Sequence, residues 1–519
     1  MGGEKVVNLR VNLIINCFNK DMKLLNTRFL LAMSMLMSVM TTQALQVENE
    51  AGGLADHVDD TSIKELTVTG TVNAVDFRFI RENLTSLQKL NMTGATIVAS
   101  EETRDDNTVQ YAANAVPDYA LFGMKLNEVV LPESVTAIGE AALAGNGNLT
   151  AITLPASLTA LGDNALNATG LTAVIIPANL ETLGKGVFSN CTALTEATYF
   201  PADEQALSEE TFMGCTSLAS LNLGSNITAL GKKSLAGCTA LTALELPANT
   251  RLEEIRESAL ESSGLTSVDL TRCDALTTIG MYAFANTPAT TIALPQSLAE
   301  VGEGAFFYNT ALGEISFPES ITTFSDFLLA GCNSYQSNDV IGENVTNIGD
   351  YTFYNWDQMA SFIIPANVEY LGTRAMAGMT GLTEVKAKPM TVPALGENVW
   401  EGVDQPSVPL KVAKGVIDDY KAAAQWQEFR IERDVPTAID DVVATAADVK
   451  AYFAGTELIV TANADIASVS VYSVGGVLLN RVTPMAPEAR LETMNYQGKV
   501  YIVNVTLADG SNATFKLLR

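Results

Sequence analysis

Twelve times after residue 125 the chain writes nearly the same sentence, and this periodicity constrains its fold more than any other property. One copy, opening at Leu149, reads LTAITLPASLTALGDNALNATG. Copies open at Leu126, Leu149, Leu171, Leu194, Leu218, Leu241, Leu265, Ala289, Leu312, Tyr335, Met359 and Leu382, in steps of 22 to 24 residues. A fixed period in that range marks a solenoid, in which each copy is one turn stacked on the next. Within a copy, Leu149, Ile152 and Leu154 begin a short strand whose alternate side chains turn inward. Pro155 halts its ladder hydrogen bonding. Leu158, Leu161, Ala165 and Leu166 continue the apolar set. Gly162 reads as a corner with positive φ. One copy cannot bury its own open faces, so copies must stack and pair their backbones.

The ends of the array differ from its middle. Ile63, Leu66 and Val68, then Leu87, Leu90 and Met92, repeat the strand spacing further upstream. Residues 76–84 between them predict a helix with Phe77, Ile80 and Leu84 on one face. Residues 47–61 are acidic and short of aromatics, which predicts a mobile lead. The charged stretch 100–108 predicts a loop. Some copies are imperfect: Leu207-Ser208 and Ile255-Arg256 lack the glycine, and Asn338 stands at an apolar strand position.

The repeat resembles that of the BspA-like leucine-rich repeat family, written L-T-x-h-x-h-P-x-S-h-T-x-I-G-x-x-A-F with h apolar. Residues 149–155, 157–159, 161–162 and 165–166 fill those places, and 280–284 and 302–306 carry Gly-x-x-Ala-Phe verbatim. The resemblance covers about Ile63 to Glu432. It implies a mainly β leucine-rich repeat solenoid and a secreted or surface protein serving adhesion, with no catalytic residue fixed by the repeat. Residues 63–92 are similar to the family's amino-terminal cap. Residues 408–429 resemble its closing segment, with 418–429 as a short helix anchored by Tyr420 and Trp426.

Residues 1–21 match no signal, but Met22 opens one. Lys23 and Arg28 supply the basic start, 29–40 the apolar run, and Thr42-Gln43-Ala44 a cleavage site. The run is too short to span a bilayer, and no later stretch approaches the ~20 apolar residues a spanning helix needs. The composition carries a net charge of −28; removing 1–44 leaves 26 basic and 57 acidic side chains, a balance of −31. Such a charge opposes nucleic acid and anionic membrane as partners.

After Trp400 the period stops. Residues 435–447 hold Pro436 and read as a linker. Residues 448–519 switch to strand alternation, with strands predicted over 457–462, 468–479, 500–507 and 513–518, and turns at Gly475-Gly476 and Asp509-Gly510. This is a small β-sandwich. It resembles the carboxy-terminal sorting domains of type IX secretion, through Val471-Tyr472, Gly475-Gly476, Gly498 to Val503 and Lys516, with Thr437 to Asp441 typical of the preceding linkers. The expected organisation is therefore 1–44 upstream segment and signal, 45–125 acidic lead and cap repeats, 126–407 twelve repeats, 408–434 closing cap, 435–447 linker, and 448–519 sorting-type domain. That resemblance makes the export machinery a partner of the tail.

Chemistry is scarce. His57 is the single histidine, which excludes a histidine-based triad or metal site inside the solenoid. Cys191, Cys215, Cys238 and Cys332 share one repeat position and read as small buried side chains in a ladder. No Cys-x-x-Cys accompanies them, and a disulfide between rungs is not implied. Cys17 precedes the signal, and Cys273 lies off the ladder. Asp59-Asp60 and Asp105-Asp106 could touch calcium, but isolated acidic pairs usually only solvate loops. The sequence contains no Walker loop, His-Glu-x-x-His or EF-hand. No catalytic, cofactor-binding or metal-ligating residue is assigned, so the chain reads as a non-enzyme without cofactor.

Two outward strand ladders are the candidate binding face. One runs Glu128, Ala151, Ala173, Glu196, Ser220, Ala243, Ser267, Thr291, Glu314, Ser337, Ser361, Glu384. The other runs Val130, Thr153, Ile175, Thr198, Asn222, Glu245, Asp269, Ala293, Ser316, Asp339, Ile363, Lys386. Both are small, mostly polar and free of aromatic rings, whereas protein hot spots favour Trp, Tyr and Arg. The face is either a broad, weak docking surface or plain solvent-facing sheet, and its ligand-binding residues stay unassigned. The leading expectation is a secreted or cell-surface adhesion module, outer-membrane associated, for a protein on a host or bacterial surface. The alternative is a structural spacer without a specific ligand.

Overall fold

The computed structural model describes residues 44–104, 107–337, 340–434, 449–454, 457–473, 477–493 and 500–518. The expected signal up to residue 43, Asp105-Asp106, Asn338, Asp339, the linker 435–447, Gly475-Gly476 and Gly498-Lys499 lie outside them. The chain parts into two compact units between Glu432 and Arg433.

The first unit is a mainly β solenoid. The rung opening at Leu171 shows how sequence builds it. Strand Ala173–Ile176 turns Val174 and Ile176 inward and Ala173 and Ile175 outward, the period-2 alternation of a half-buried strand. Pro177 closes it, and the chain turns at buried Leu180. A second strand, Thr182–Leu183, follows. Each strand pairs in parallel with its counterpart in the neighbouring rung, Ala173 with Glu196 and Thr182 with Ala160. The opening residue of all twelve copies is buried, including the substitutes Ala289, Tyr335 and Met359.

Most rungs thus carry two strands where the spacing predicted one. The first sheet is interrupted among the described residues at the copies opening at Leu149, Leu241 and Tyr335. The second breaks before Gln205–Leu207 and before Thr323–Phe324. Those two rungs carry Ser208 and Ser325 in place of the glycine. The rung with Arg256 also lacks it, yet pairs without interruption.

The glycine itself corrects the reading of Gly162. Its φ is not positive. A Cβ there would lie 2.7 Å from the Glu140 nitrogen and 2.7 Å from the Gly139 carbonyl carbon in the rung below. Close backbone approach, not turn geometry, demands glycine. The left-handed conformation falls two residues later and again four residues after that. It is taken by Asn164 and Ala168, by Lys233 and Gly237, and by Tyr351 and Asn355. A non-glycine residue there costs roughly 1–2 kcal/mol. An inter-rung ladder offsets that cost. The Asn164, Leu166 and Ala168 N–H groups donate to the carbonyls of Lys185, Val187 and Ser189, at 2.7, 3.0 and 2.8 Å.

At the amino-terminal end, helix Ala74–Asn83 buries Phe77 and Ile80, with Leu84 buried just beyond. The lead is not the mobile segment its acidity predicted. Ala44–Asn49 is a strand paired with Glu65–Val72. Val47, Leu54 and Val58 supply buried apolar contacts that the composition masked. The buried Asp76 carboxylate ties this together, accepting the N–H groups of Gly52 (2.7 Å), Asn73 (2.9 Å) and Leu54 (3.0 Å). The predicted loop at 100–108 is instead an antiparallel hairpin, Ser100–Arg104 with Asn107–Tyr111. Its Thr, Val and Tyr residues suit strands. At the other end the helix is Ile417–Ala422, shorter than predicted, because Ala423 turns extended; Gln425 then takes a positive φ of 63 before the short turn Trp426–Glu428. Tyr420 and Trp426 are buried, and the Trp400 and Trp426 rings lie 5.4 Å apart.

The second unit is one antiparallel sheet folded on itself. The 17-residue strand Glu457–Ser473 runs through both halves. Its start pairs with Lys450–Ala454 and Ala486–Glu492, and its end with Leu478–Val482 and Val500–Leu507. Asn512–Leu518 completes the edge. Leu458, Val460, Val469, Val471, Val503 and Val505 form a shared core, and the Phe453 ring lies 5.7 Å from Tyr501. Lys450–Ala454 and Ala486–Glu492 escaped the sequence reading; the predicted 457–462 and the start of the predicted 468–479 proved to be one strand, and the end of the latter belongs to a separate strand, Leu478–Val482.

Candidate interaction surfaces

The two outward ladders lie where the alternation placed them. Glu128 through Glu314 of the first are exposed, while Ser361 and Glu384 are half-buried. In the second, Thr153, Glu245, Asp269 and Ser316 are exposed, and Ile175 is 76% exposed. Ile175 borders a shallow cavity of about 530 Å³ with Ile152, Thr153, Ala173 and Pro177, at the first interruption of the sheet.

The aromatic side chains lie on another face. They sit on the turn that follows the second strand, at the left-handed position or three to four residues beyond. Tyr282, Phe307, Tyr308, Phe327, Tyr351 and Tyr354 form a continuous stripe over four rungs. The Phe307 ring lies 5.9 Å from Tyr282, 4.6 Å from Tyr308 and 6.2 Å from Phe327. Phe327 stacks on Tyr351 at 4.8 Å with planes 6° apart. Two glycines seat the stripe: a Cβ on Gly304 would meet the Tyr282 ring at 2.3 Å, and one on Gly331 the Tyr308 ring at 3.0 Å. Arg374 closes the end. Its guanidinium is 5.9 Å from the Tyr351 ring centre, donates to the Tyr351 hydroxyl at 2.9 Å and pairs with Glu401. The sequence signal was available. These are the variable positions around Gly-x-x-Ala-Phe, which the consensus hides.

The four ladder cysteines are buried and free. Each thiol donates to a carbonyl of the preceding rung: Cys191 to Leu166 (3.3 Å), Cys215 to Phe188 (3.1 Å), Cys238 to Phe212 (3.2 Å) and Cys332 to Phe306 (3.2 Å). Asn146 and Trp356 make the same bond from the same repeat position, to Leu121 and Leu329. The position is buried and takes a donor in these rungs, but not in all of them: Met379 stands at the same place, and the Ser263 hydroxyl there has no partner. Burial pushes the Cys238 and Cys332 thiols up to about 12 and Cys273 to about 11. Off the ladder, Cys273 packs in the core, its carbonyl accepting the Ser297 hydroxyl.

The acidic pairs serve local structure where they are described. The Ser62 hydroxyl and amide both donate to Asp60 and hold its carboxyl below the usual range. His57 is exposed at the end of a short turn, Leu54–His57. Among the described residues no group of three His, Cys, Asp or Glu side chains is arranged to hold a metal ion, and no helix is long and apolar enough to cross a membrane.

With this geometry in view, the sequence matches the model of the BspA type Leucine rich repeat region in six copies, over 114–205, 198–309 and 277–404, together more than half of the chain. The chain belongs to that family. Proteins built from these BspA-type repeats are generally binding or scaffold proteins without enzymatic activity, and many are secreted or displayed on the cell surface. The fold is similar to that of a leucine-rich repeat protein from Bacteroides ovatus, at 20% identity over 70% of this chain and 84% of that one, with a TM-score of 0.54. A leucine rich cell surface protein from Faecalibacterium prausnitzii is 22% identical over 66% of this chain and 82% of that one, with a TM-score of 0.30. No curated protein matches this BspA-type chain.

Proposed function

We propose that the chain is a secreted or cell-surface adhesion protein. Its BspA-type solenoid holds a protein on a host or bacterial surface, and its terminal unit engages the export machinery. The observation that carries the reading is the long series of exposed positions, Glu128 to Glu314, on a stacked frame whose first sheet is interrupted at two of these rungs, together with the aromatic stripe on the turns. Solenoids use such extended surfaces to bind proteins. The second unit has its own core and the short motifs of a sorting domain, which supports a role in export.

A spacer role is the second reading, favoured by the small polar side chains of the sheet face. One experiment separates them. Cells with and without the chain are tested for protease-accessible protein at the surface and for attachment to immobilised host extracellular proteins and neighbouring bacteria. Surface exposure with saturable, chain-dependent attachment is expected. Surface exposure without attachment to any of them favours the spacer. Protein confined to the cytoplasm refutes both.

A further inference from the structure

Large apolar side chains such as Ile175 and Phe200 are exposed elsewhere on the solenoid, but the aromatic stripe gathers six rings over four rungs, and its surroundings specify what it accepts. Its rungs stand about 4.8 Å apart, so the part of the stripe from Tyr282 to Phe327 is roughly 10 Å long. That matches about three residues of extended chain. Glu303 and Asp326 flank it, next to Gly304 and Phe327. Glu303 accepts the Tyr282 hydroxyl at 3.0 Å, and exposed Asp326 accepts the Asp350 N–H at 2.7 Å. The parallel stack of Phe327 on Tyr351 turns those ring faces toward each other, leaving edges where a sugar platform would need open faces. At the far end, Arg374 shows what does fit: a guanidinium over a ring, bonded to a phenol and paired with a carboxylate. Tyr308 is 43% exposed, and its ring lies 4.6 Å from Phe307, whose own ring is 5.9 Å from Tyr282, the partner of Glu303, and 6.2 Å from Phe327, the neighbour of Asp326.

We propose that the turn face from Tyr282 to Phe327 docks an arginine-bearing extended segment of a partner protein, its guanidinium groups placed between the Tyr308 and Phe307 rings and the carboxylates of Glu303 and Asp326. Arginine is favoured over lysine because its planar group stacks on rings while it bonds carboxylates. The chain's net charge of −28 draws such a segment in. This inference rests on the protein-binding reading of the solenoid and names the face and the partner's chemistry.

The test is titration of the full chain with a ten-residue peptide of alternating arginine and serine, against lysine–serine and glutamate–serine peptides of equal length. The arginine peptide is expected to bind, the lysine peptide more weakly, and the glutamate peptide not at all. Tyr308→Ala should weaken arginine binding about two- to fivefold, the worth of one exposed cation–π contact. Tyr308→Phe should retain it. Asp326→Asn keeps an acceptor for Asp350, so the turn stays formed, and it should weaken binding and flatten its salt dependence. Arginine and lysine peptides that bind equally, with no effect of Tyr308→Ala, would overturn the proposal in favour of a generally acidic surface. So would binding of a neutral oligosaccharide that Tyr308→Ala abolishes. If the peptide fails while cells still attach through the chain, the stripe is wrong as the docking face and the adhesion reading stands.

Discussion

The side-chain amide of Gln425 replaces the bond that would close the last turn around Val399. Its Oε1 accepts the Val399 N–H at 2.8 Å, and its Nε2 donates to the Gly396 carbonyl at 2.7 Å. One rung earlier the equivalent groups, Ala375 N–H and Gly372 carbonyl, bond each other at 3.2 Å. The final turn is thus opened and an amide inserted. Gln405 holds the insert by donating to the Gln425 carbonyl at 2.6 Å. Gln425→Ala should cost about 1–3 kcal/mol through the lost bonds. Gln425→Gly relieves the left-handed strain and should recover part of that loss. Hydrogen exchange around 396–403 checks it: unchanged protection in Gln425→Ala would mean that the amide caps nothing.

The glycines separate by what lies above them. Gly162→Ala drives a Cβ into backbone of the neighbouring rung and should cost about 1–3 kcal/mol, as overpacking does. At Gly147 a Cβ meets nothing within 4 Å. Gly147→Ala should be neutral or stabilise by up to about 1 kcal/mol, through the unfolded chain. Chemical melts of the two variants decide this, and equal losses would contradict the close-approach account.

Core positions grade in the same way. Leu166 is fully buried, and Leu154, at an interruption of the sheet, is 9% exposed. Alanine at either should cost about 2–5 kcal/mol, with Leu166 toward the upper end. Thr153→Ala, on the outer face, should stay within about 0.5 kcal/mol. Denaturant melts giving Thr153→Ala the same loss as Leu154→Ala would place the strand in the wrong register.

What the sequence disclosed follows from how strongly each feature repeats. Leu126 and its eleven counterparts recur at a nearly fixed period, so their burial was legible even where alanine, tyrosine or methionine stands in. Features that vary from rung to rung were not. Tyr282, Phe327 and Tyr351 occupy a consensus position marked only x, and reading for the consensus discards them. Gly162 was recognised as necessary for the wrong reason, because a single copy cannot show what the next rung places above it. The lead around Val47 misled by its charge: a few apolar residues are enough to dock a strand on an existing sheet edge.

The buried thiols give the solenoid an alkaline weakness. The folded state raises the Cys238 and Cys332 pKa to about 12 and that of Cys273 to about 11, by desolvation first. Unfolded thiols titrate near 8.5, about three units lower. The folded chain therefore holds these protons longer, so their stabilisation is complete below about pH 8.5 and is lost as pH rises toward the folded values. Each thiol gives up roughly 1.4 kcal/mol per pH unit in that window. Melts in reductant at two pH values should show the decline, and Cys238→Ala should make it shallower by one thiol's share. An identical slope in the variant would mean that Cys238 is not a buried proton donor.

The tail prediction joins structure to export. Residues 457–518 have a core of their own, centred on Val460, Val469 and Val503, and share no repeat with the solenoid. A terminal module of that kind can be recognised by export machinery after the rest of the chain has folded. On the proposed sorting role, the edge strand Asn512–Leu518, which bears Lys516, would be the part that is read. Removing 448–519 should leave the solenoid with an unchanged melting profile and an unchanged capacity to bind, yet hold it inside the cell envelope. Fractionation of cells expressing the truncated chain tests this directly. Normal appearance at the surface would refute the sorting role and leave the tail as a passive spacer. Retention together with a destabilised solenoid would instead mean that the tail supports the fold, so the melt and the fractionation have to be done on the same truncation.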